Sequence, residues 1–279
     1  MVTISNLQFN YGSHEVFSNL NLTFDEGKIY GLLGMNGAGK STLLYLMSGL
    51  LFAKQGSVDF NGHNMSRRSP SALADLFIVP EEFDLPAMTF ERYIKLNAPF
   101  YPNFSRETLD RCLQGFGMTA DMNLAHLSMG QKKKAFVCFA LACNTRLLLM
   151  DEPTNGLDIP SKSQFRKVVA ECMTDNRTII ISTHQVRDVE NLIDHIAILG
   201  NQQLLFDMSV SQICDHLTFA DCKLGQQPEG AIYTQPSALG SAVVCKRTAA
   251  DSETPLDIEL LFNAVLANTE SVKQAFAAK

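Results

Sequence analysis

The chain has 279 residues, a length that allows one large domain or one domain with an appendage. Hydrophobic residues make up 46% and charged residues 19%, which provides enough apolar material for a sizeable core. The net charge of −6 argues against nucleic acid as a main partner, because proteins that bind nucleic acid generally carry a basic surface. No stretch approaches the roughly 18–20 consecutive apolar residues of a membrane span, and the first residues lack the pattern of a secretory signal. We therefore expect a cytoplasmic protein, which would act at a membrane only through another chain.

The first part of the chain predicts strands that lead into a glycine-rich loop. Alternating or continuous apolar residues predict strands at 2–4, 7–9, 17–24, 28–33, 56–62 and 76–80. The strand at 28–33 runs directly into the glycine-rich loop, and residues 41–51 then have the pattern of a helix. Strand, loop and helix in this order are the context that a phosphate-binding loop requires.

The rest of the chain predicts a helical block, then strands alternating with helices, then a mixed region. Residues 89–117 carry helical patterns, and a further helix is predicted at 129–143. Apolar runs predict strands at 146–150, 178–182, 196–199 and 204–206. Between them, helical patterns predict helices at 161–173 and 186–192. Short strands at 231–235 and 241–246 and a helix at 255–266 come next. The alternation predicts an α/β fold that binds phosphates at the carboxyl ends of its strands.

Residues 34–41, GMNGAGKS, match the full pattern of a phosphate-binding loop. The glycines let backbone N–H groups point inward at phosphate oxygens, and the helix after the loop adds a favourable dipole. Lys40 can neutralise the β and γ phosphates, and the Ser41 hydroxyl can bind Mg²⁺. A chance glycine-rich turn is the alternative, and the flanking strand and helix oppose it. The predicted ATP contacts of the loop are Asn36, Gly37, Ala38, Gly39, Lys40, Ser41 and Thr42.

Two acids end the apolar strand at 146–150. Asp151 can hold Mg²⁺ through water, which suits a hard cation. Glu152 can orient or deprotonate the attacking water and is the predicted catalytic base. A solvated acidic turn is the alternative, but the tight turn that continues from the strand as Pro153-Thr154-Asn155-Gly156 makes it less favoured.

Further motifs occur in a fixed order, and together the set resembles the ABC (ATP-binding cassette) ATPases. Residues 127–131, LSMGQ, resemble the LSGGQ signature, with Met129 in place of its first glycine. Gly156-Leu157-Asp158 resembles the D-loop, and His184, after the strand at 178–182, resembles the switch histidine. Tyr11 occupies the place of the family's adenine-stacking aromatic. Each of these residues has an alternative role. Tyr11 could be a core aromatic, Ser128 of the signature could be a simple helix cap, and His184 could be a structural histidine.

The resemblance covers roughly residues 1–208 and implies a P-loop ATPase core. This core would contain an N-terminal antiparallel β subdomain and a helical subdomain at about 84–130. Residues 209–279 would form a small C-terminal α+β extension. We expect this extension to support the dimer; binding a regulator, or only packing against the core, are the alternatives. The resemblance implies Mg²⁺ with ATP as the cofactor, catalytic roles for Glu152 and His184, and a D-loop role for Asp158.

The resemblance also implies partners. Two cassettes of the family sandwich ATP head to tail, so that the signature of one contacts the γ-phosphate bound by the other. A separate membrane-spanning subunit would place this chain at the inner face of the cell membrane. The signature residues that would contact the opposite ATP are Ser128, Met129, Gly130 and Gln131.

Two positions depart from the family pattern. Residues 79–82 read VPEE, so that Glu81 stands where the family has a magnesium-binding glutamine; we predict that Glu81 joins Ser41 and Asp151 as a metal ligand. Similar segments occur in exporter-type ATPases, which favours an exporter. A soluble non-transport ABC ATPase, or a regulatory cassette that hydrolyses weakly because of Glu81 and Met129, remains the alternative. The lysines at 132–134 are expected to face solvent or a partner, with phosphates of an opposing site as the alternative.

Overall fold

The computed structural model describes residues 1–223, 230–237, 240–248 and 251–276. Its strands are β1 (Val2–Tyr11), β2 (His14–Phe24), β3 (Ile29–Gly34), β4 (Gln55–Phe60), β5 (His63–Asn64), β6 (Leu76–Val79), β7 (Leu147–Asp151), β8 (Thr178–Thr183), β9 (His195–Gly200), β10 (Gln203–Ser209), β11 (Leu217–Lys223), β12 (Ala231–Ser237) and β13 (Gly240–Lys246). Its helices are α1 (Lys40–Met47), α2 (Pro70–Ala74), α3 (Phe90–Asn97), α4 (Arg106–Gly115), α5 (Met129–Ala142), α6 (Ile159–Glu171), α7 (Val210–His216), α8 (Ile258–Ala267) and α9 (Thr269–Phe276). Parts of the predicted C-terminal extension, namely residues 224–229, 238–239, 249–250 and 277–279, lie outside the described part of the chain.

The central sheet has six strands in the order β10-β9-β3-β8-β7-β6. Strands β9, β3, β8, β7 and β6 are parallel, and β10 pairs antiparallel with β9. Every residue of β3, β7 and β8 is buried, which explains their continuous apolar sequences. The carboxyl ends of these parallel strands therefore bring the glycine-rich loop, the two acids and the histidine to one edge.

The N-terminal sheet is antiparallel, as predicted, with the order β2-β1-β4-β5. Its apolar face shares a core with α1 and with one face of the central sheet, through side chains such as Phe17, Phe24 and Leu43. The short predicted segments at 2–4 and 7–9 belong to one strand, β1, with irregular register between Ile4 and Gln8. α1 and the loop before it are thus supported by this buried apolar core.

Helices α3, α4 and α5 follow one another along the chain without a strand between them. Aromatic side chains pack together here, and Phe139 of α5 contacts the rings of Phe77, Tyr93, Tyr101 and Phe104. Among the described residues, no helix is long and apolar enough to cross a bilayer. The domain boundaries at 84–130 and at 208/209 stay predictions.

The C-terminal residues form a three-stranded antiparallel sheet, β11-β13-β12, with α8 and α9. This agrees with the predicted α+β character. The predicted strands at 231–235 and 241–246 correspond to β12 and β13, whereas β11 and α9 were not predicted. Among the described elements, α8 packs on β12 and β13 and also on the turn at 186–188.

One predicted helix is wrong. Residues 186–192 form only a short 3-10 turn at 186–188 followed by further turns. Val186, Val189 and Leu192 are all buried. The Val189 N–H donates to the Val186 carbonyl at 3.2 Å, and the Leu192 N–H donates to the Val189 carbonyl at 2.9 Å. Successive three-residue turns also bury every third residue, so their apolar spacing resembles that of a helix.

Candidate functional site

The phosphate-binding loop joins β3 to α1. Gly37 has a φ of 80° and Gly39 a φ of 95°, both in the left-handed region that glycine adopts without strain. A Cβ at Gly39 would also lie 2.7 Å from the Phe17 ring, so a larger residue does not fit there. The Lys40 side chain folds back over the loop, where Nζ donates to the carbonyls of Gly34 at 2.8 Å and Met35 at 3.2 Å.

Lys40 lies opposite the two acids at the end of β7. Its Nζ is 4.0 Å from Glu152 Oε1, and both side chains are almost fully buried. Burial lowers the pKa of Lys40, while the nearby charges of Glu152 and Asp151 act in the opposite direction. An anionic phosphate in the loop would add to that opposing effect and favour the charged ammonium.

Glu152 is buried and makes hydrogen bonds through both carboxylate oxygens. Oε1 accepts the backbone N–H of His184 at 3.0 Å and lies 2.7 Å from His184 Nδ1. Oε2 accepts the Thr183 hydroxyl at 3.0 Å, and the neighbouring Asp151 Oδ1 accepts the Ser182 hydroxyl. The structure thus brings the predicted catalytic pair, Glu152 and His184, into direct contact.

Sequence reasoning missed the two hydroxyls that hold the acids. Ser182 and Thr183 end β8, which pairs in parallel with β7 so that Asp151 faces Ser182. The signal was present in the segment TIIIST, because a strand beside the acidic one must end next to the acids. The hydroxyls orient the carboxylates without adding charge.

A cleft of about 360 Å³ opens in front of the loop. Tyr11, half-exposed at the end of β1, lies on its wall, as do His14 and Val16, which were not predicted. The predicted residues that line the cleft are Tyr11, Asn36, Gly37, Gly39, Lys40, Ser41, Thr42, Glu81 and Glu152. Ala38 packs against the N-terminal core instead, and Asp151 is fully buried at the end of β7.

The predicted metal ligands offer only oxygen donors. Ser41 and Glu81 line the cleft, and Asp151 uses Oδ1 to accept the Ser182 hydroxyl. Glu81 is partly exposed, and its Oε1 accepts the Asn155 Nδ2–H at 2.9 Å. An all-oxygen donor set fits a hard divalent cation such as Mg²⁺.

The signature segment forms the N-terminus of α5. The Ser128 hydroxyl accepts the Gln131 N–H at 3.3 Å, and the Gln131 side chain accepts the Ser128 N–H at 3.0 Å, which is a capping box. Met129 is 58% exposed, and a Cβ at Gly130 would lie 3.5 Å from the Gly156 carbonyl oxygen, an ordinary van der Waals distance. The segment is not among the described residues that line the phosphate cleft.

Asp158 caps α6, the helix after the D-loop. Its Oδ1 accepts the Ser161 N–H at 2.9 Å, and hydrogen bonds from Ser161 lower the pKa of the carboxyl. The neighbouring Ile159 is 84% exposed, which is unusual for so large an apolar side chain. The D-loop therefore presents an ordered acid and an exposed apolar residue at the start of α6.

The expectation for the lysines at 132–134 is wrong for the middle one. Lys132 and Lys134 are partly exposed, but Lys133 is buried and donates from Nζ to the carbonyls of Glu152 and Asn155. The sequence showed only a short basic run. The residues four positions further along α5 from the three lysines are Phe136, Val137 and Cys138, all apolar, so this spacing does not single out the inward-facing lysine.

Comparisons with known proteins agree with these features. Residues 17–155 match the family model described as ABC transporter. The chain is 29% identical over 208 residues to the lantibiotic transport ATP-binding protein SrtF of Streptococcus pyogenes, which covers 74% of this chain and 90% of the relative. It is 29% identical over 221 residues to the bacitracin transport ATP-binding protein BcrA of Bacillus licheniformis, covering 78% of this chain and 71% of the relative.

Solved structures give the same result. A structure of the ATP-binding subunit of an ABC transporter superposes with a TM-score of 0.69 at 25% identity, covering 76% of this chain and 91% of that one. The component cbiO1 of the cbiONQ transporter complex from Clostridium perfringens shares the fold, with a TM-score of 0.64, 24% identity, and 76% and 89% of the two chains covered. With the ordered motifs and the geometry of the cleft, these similarities show that the chain belongs to the ABC transporter family of ATP-binding proteins.

Proposed function

We propose that this chain hydrolyses ATP as the ATP-binding subunit of an ABC transporter. The observation that carries the proposal is the placement of Glu152. Its carboxylate is buried, held by Thr183 and His184, and lies 4.0 Å from the Lys40 ammonium at the phosphate loop. A carboxylate fixed at this point can orient a water molecule and accept its proton as the γ-phosphate is attacked.

The remaining residues of the cleft would bind the nucleotide. The N–H groups of the loop and the start of α1 hold the phosphates, with Lys40 as the main cation. Ser41, Asp151 and Glu81 hold Mg²⁺, which neutralises phosphate charge when bound. Tyr11 stacks on the adenine, since its ring is half-exposed on the wall of the cleft.

A second cassette would complete the site. Ser128 caps a helix whose free N–H groups suit an anion, and Met129 next to it is exposed rather than packed within its own subunit. With Gly130, Gln131 and the D-loop residue Asp158, this surface would meet the ATP of another subunit. The second cassette is either an identical copy or a different chain.

The energy of this cycle would drive a separate membrane-spanning subunit. ATP binding closes the two cassettes and hydrolysis reopens them, and the chain would lie at the inner face of the cell membrane through that partner. Relatives named for lantibiotic and bacitracin transport support an exporter. We expect no role for nucleic acid.

The variant Glu152→Gln tests the proposal because it keeps the side chain's size and removes the base. We expect it to bind ATP with affinity close to that of wild type, to retain the nucleotide and to accumulate as ATP-bound dimers. Turnover at the wild-type rate would refute the role of Glu152. Slow ATP turnover by the wild-type protein, with dimerisation confirmed, would favour the regulatory cassette. Salt-sensitive binding to nucleic acid, without association with a membrane, would favour the non-transport ATPase.

A further inference from the structure

Lys133 is an unusual residue for the interior of this protein. It lies in the second turn of α5 and is only 4% exposed, although a lysine is rarely buried without a partner. Among the described residues, it makes no ion pair within 4.0 Å. The free energy that its burial costs must therefore be offset by contacts with other groups.

Two backbone carbonyls receive the Lys133 ammonium. Nζ lies 3.1 Å from Glu152 O and 3.1 Å from Asn155 O. These carbonyls are the two ends of one tight turn, which is also closed by the Asn155 N–H donating to Glu152 O at 3.1 Å. Lys133 thus fastens α5 to the turn that begins at the proposed catalytic base.

The turn has a reason to be fastened. Glu152 has a φ of 44°, a left-handed conformation that is uncommon and costly for a residue with a side chain. Such a conformation persists only where surrounding contacts hold it, and the peptide after Glu152 is fixed by Lys133 and Asn155. A rotation of that peptide would displace the carboxylate from its contacts with Thr183 and His184.

Charge gives a second reason. Burial lowers the pKa of Lys133, and the charges of three carboxylates at this edge of the sheet, on Glu81, Glu152 and Asp151, act in the opposite direction. Glu81 joins the same turn, because its Oε1 accepts the Asn155 side-chain N–H at 2.9 Å. Lys133 therefore lies next to a turn that holds two of these acids, Glu152 directly and Glu81 through Asn155.

We propose that Lys133 is a positioning residue for ATP hydrolysis, which acts by holding the turn 152–155 so that the Glu152 carboxylate faces the phosphate site. The inference rests on the proposed catalytic role of Glu152. Lys133 lies outside the described lining of the ATP cleft, so its loss should reduce the rate of turnover without weakening ATP binding. Through α5, the same contact connects the signature of a subunit to that subunit's own catalytic base.

The test compares Lys133→Met, Lys133→Arg and the control Lys134→Met in the full-length chain. Lys134 lies on the same helix with its Nζ 5.9 Å from the Phe116 ring, a contact that methionine can keep. We expect Lys133→Met to lower kcat about tenfold or more while KM for ATP changes less than about twofold, because misplacing a reacting group by about an ångström reduces rate rather than affinity. Lys133→Arg keeps a donor cation and should restore kcat to within about threefold of wild type, and Lys134→Met should match wild type.

Several results would overturn the inference: an unchanged kcat in Lys133→Met, a rise in KM equal to the fall in kcat, or no restoration by arginine. The double variant Lys133→Met with Glu152→Gln must still form ATP-bound dimers, since a lost dimer would explain the lower rate without any change in the base. If thermal melting shows that Lys133→Met is unfolded, Lys133→Gln decides instead: a wild-type kcat refutes the proposal and a reduced kcat with unchanged KM supports it. Glu152→Gln in the same assay separates the catalytic role of Glu152 from the positioning role of Lys133. If Glu152→Gln keeps its activity, the role of Glu152 is refuted, whatever the result for the Lys133 variants.

Discussion

Arg177, in the loop between α6 and β8, should contribute strongly to the stability of the fold. Its guanidinium is buried and donates to three backbone carbonyls, Cys172 O at 3.1 Å, Ala140 O at 3.3 Å and Leu141 O at 3.0 Å. It therefore joins the carboxyl end of α5 to that of α6. Burial lowers the pKa of Arg177, which expresses the cost of desolvating the charge.

The substitution Arg177→Met removes these hydrogen bonds and keeps an apolar stem. Leu141 O still accepts the Asn144 N–H at 3.2 Å, so we assign the loss to the other two carbonyls. Each buried carbonyl left without a donor costs about 1–3 kcal/mol, and part is offset because a charge is no longer desolvated. We expect a net loss of about 3 kcal/mol, which lowers the melting temperature by about 5 °C, because the entropy of unfolding of a chain of 279 residues is about 0.6 kcal/mol/K.

The assay is chemical and thermal unfolding followed by circular dichroism, without nucleotide so that ligand binding does not shift the transition. Arg111→Met, an exposed arginine on α4, is the matched control and should stay within about 0.5 kcal/mol of wild type. If Arg177→Met is as stable as wild type or more stable, the desolvation of the guanidinium outweighs its hydrogen bonds. The reasoning about Arg177 would then be wrong.

Two further predictions concern the cleft and the N-terminal sheet. Tyr11→Ala should weaken ATP binding by about 1–3 kcal/mol through lost stacking, while Tyr11→Phe keeps the affinity; calorimetric titration measures both, and equal affinities in all three proteins would exclude stacking. Gly56→Ala should shift the denaturant midpoint strongly, because its Cβ would lie 2.4 Å from the carbonyl oxygens of Ser5 and Asn6. Gly62 has the same φ of 80°, but a Cβ added there would meet no atom within 4 Å, so Gly62→Ala should lower the free energy of unfolding by only about 1–2 kcal/mol. Equal shifts of the denaturant midpoint in the two variants would contradict the steric argument.

The parts of the site that the sequence predicted are those fixed by strand order. β3, β7 and β8 have continuous apolar sequences because every residue is buried, and such runs are visible without a structure. Parallel pairing then places the residues after the carboxyl end of each strand at one edge of the sheet, so chain position predicts the contact between Glu152 and His184. The catalytic roles of Glu152 and His184 come from the motif resemblance and stay predictions.

Features that depend on packing between elements could not be predicted in the same way. α5 is apolar around most of its circumference, so its periodicity does not reveal which of three consecutive lysines points inward. α9 is short, and its position depends on contacts such as the Phe276 ring against Phe206 and His216. In β11, Leu217 and Phe219 alternate over only three positions, too few for a strand pattern to stand out.

The most direct test of the account is the rate of phosphate release from ATP by wild type and by Glu152→Gln, with ATP and Mg²⁺ saturating. Glu171→Gln, an exposed acid on α6 paired with Lys167 at 3.9 Å, is the control. We expect kcat to fall by about 10²–10⁴ for Glu152→Gln, the range for loss of a general base, with no change for the control. A Glu152→Gln enzyme that releases phosphate as fast as wild type would contradict the central claim that this buried carboxylate carries out hydrolysis.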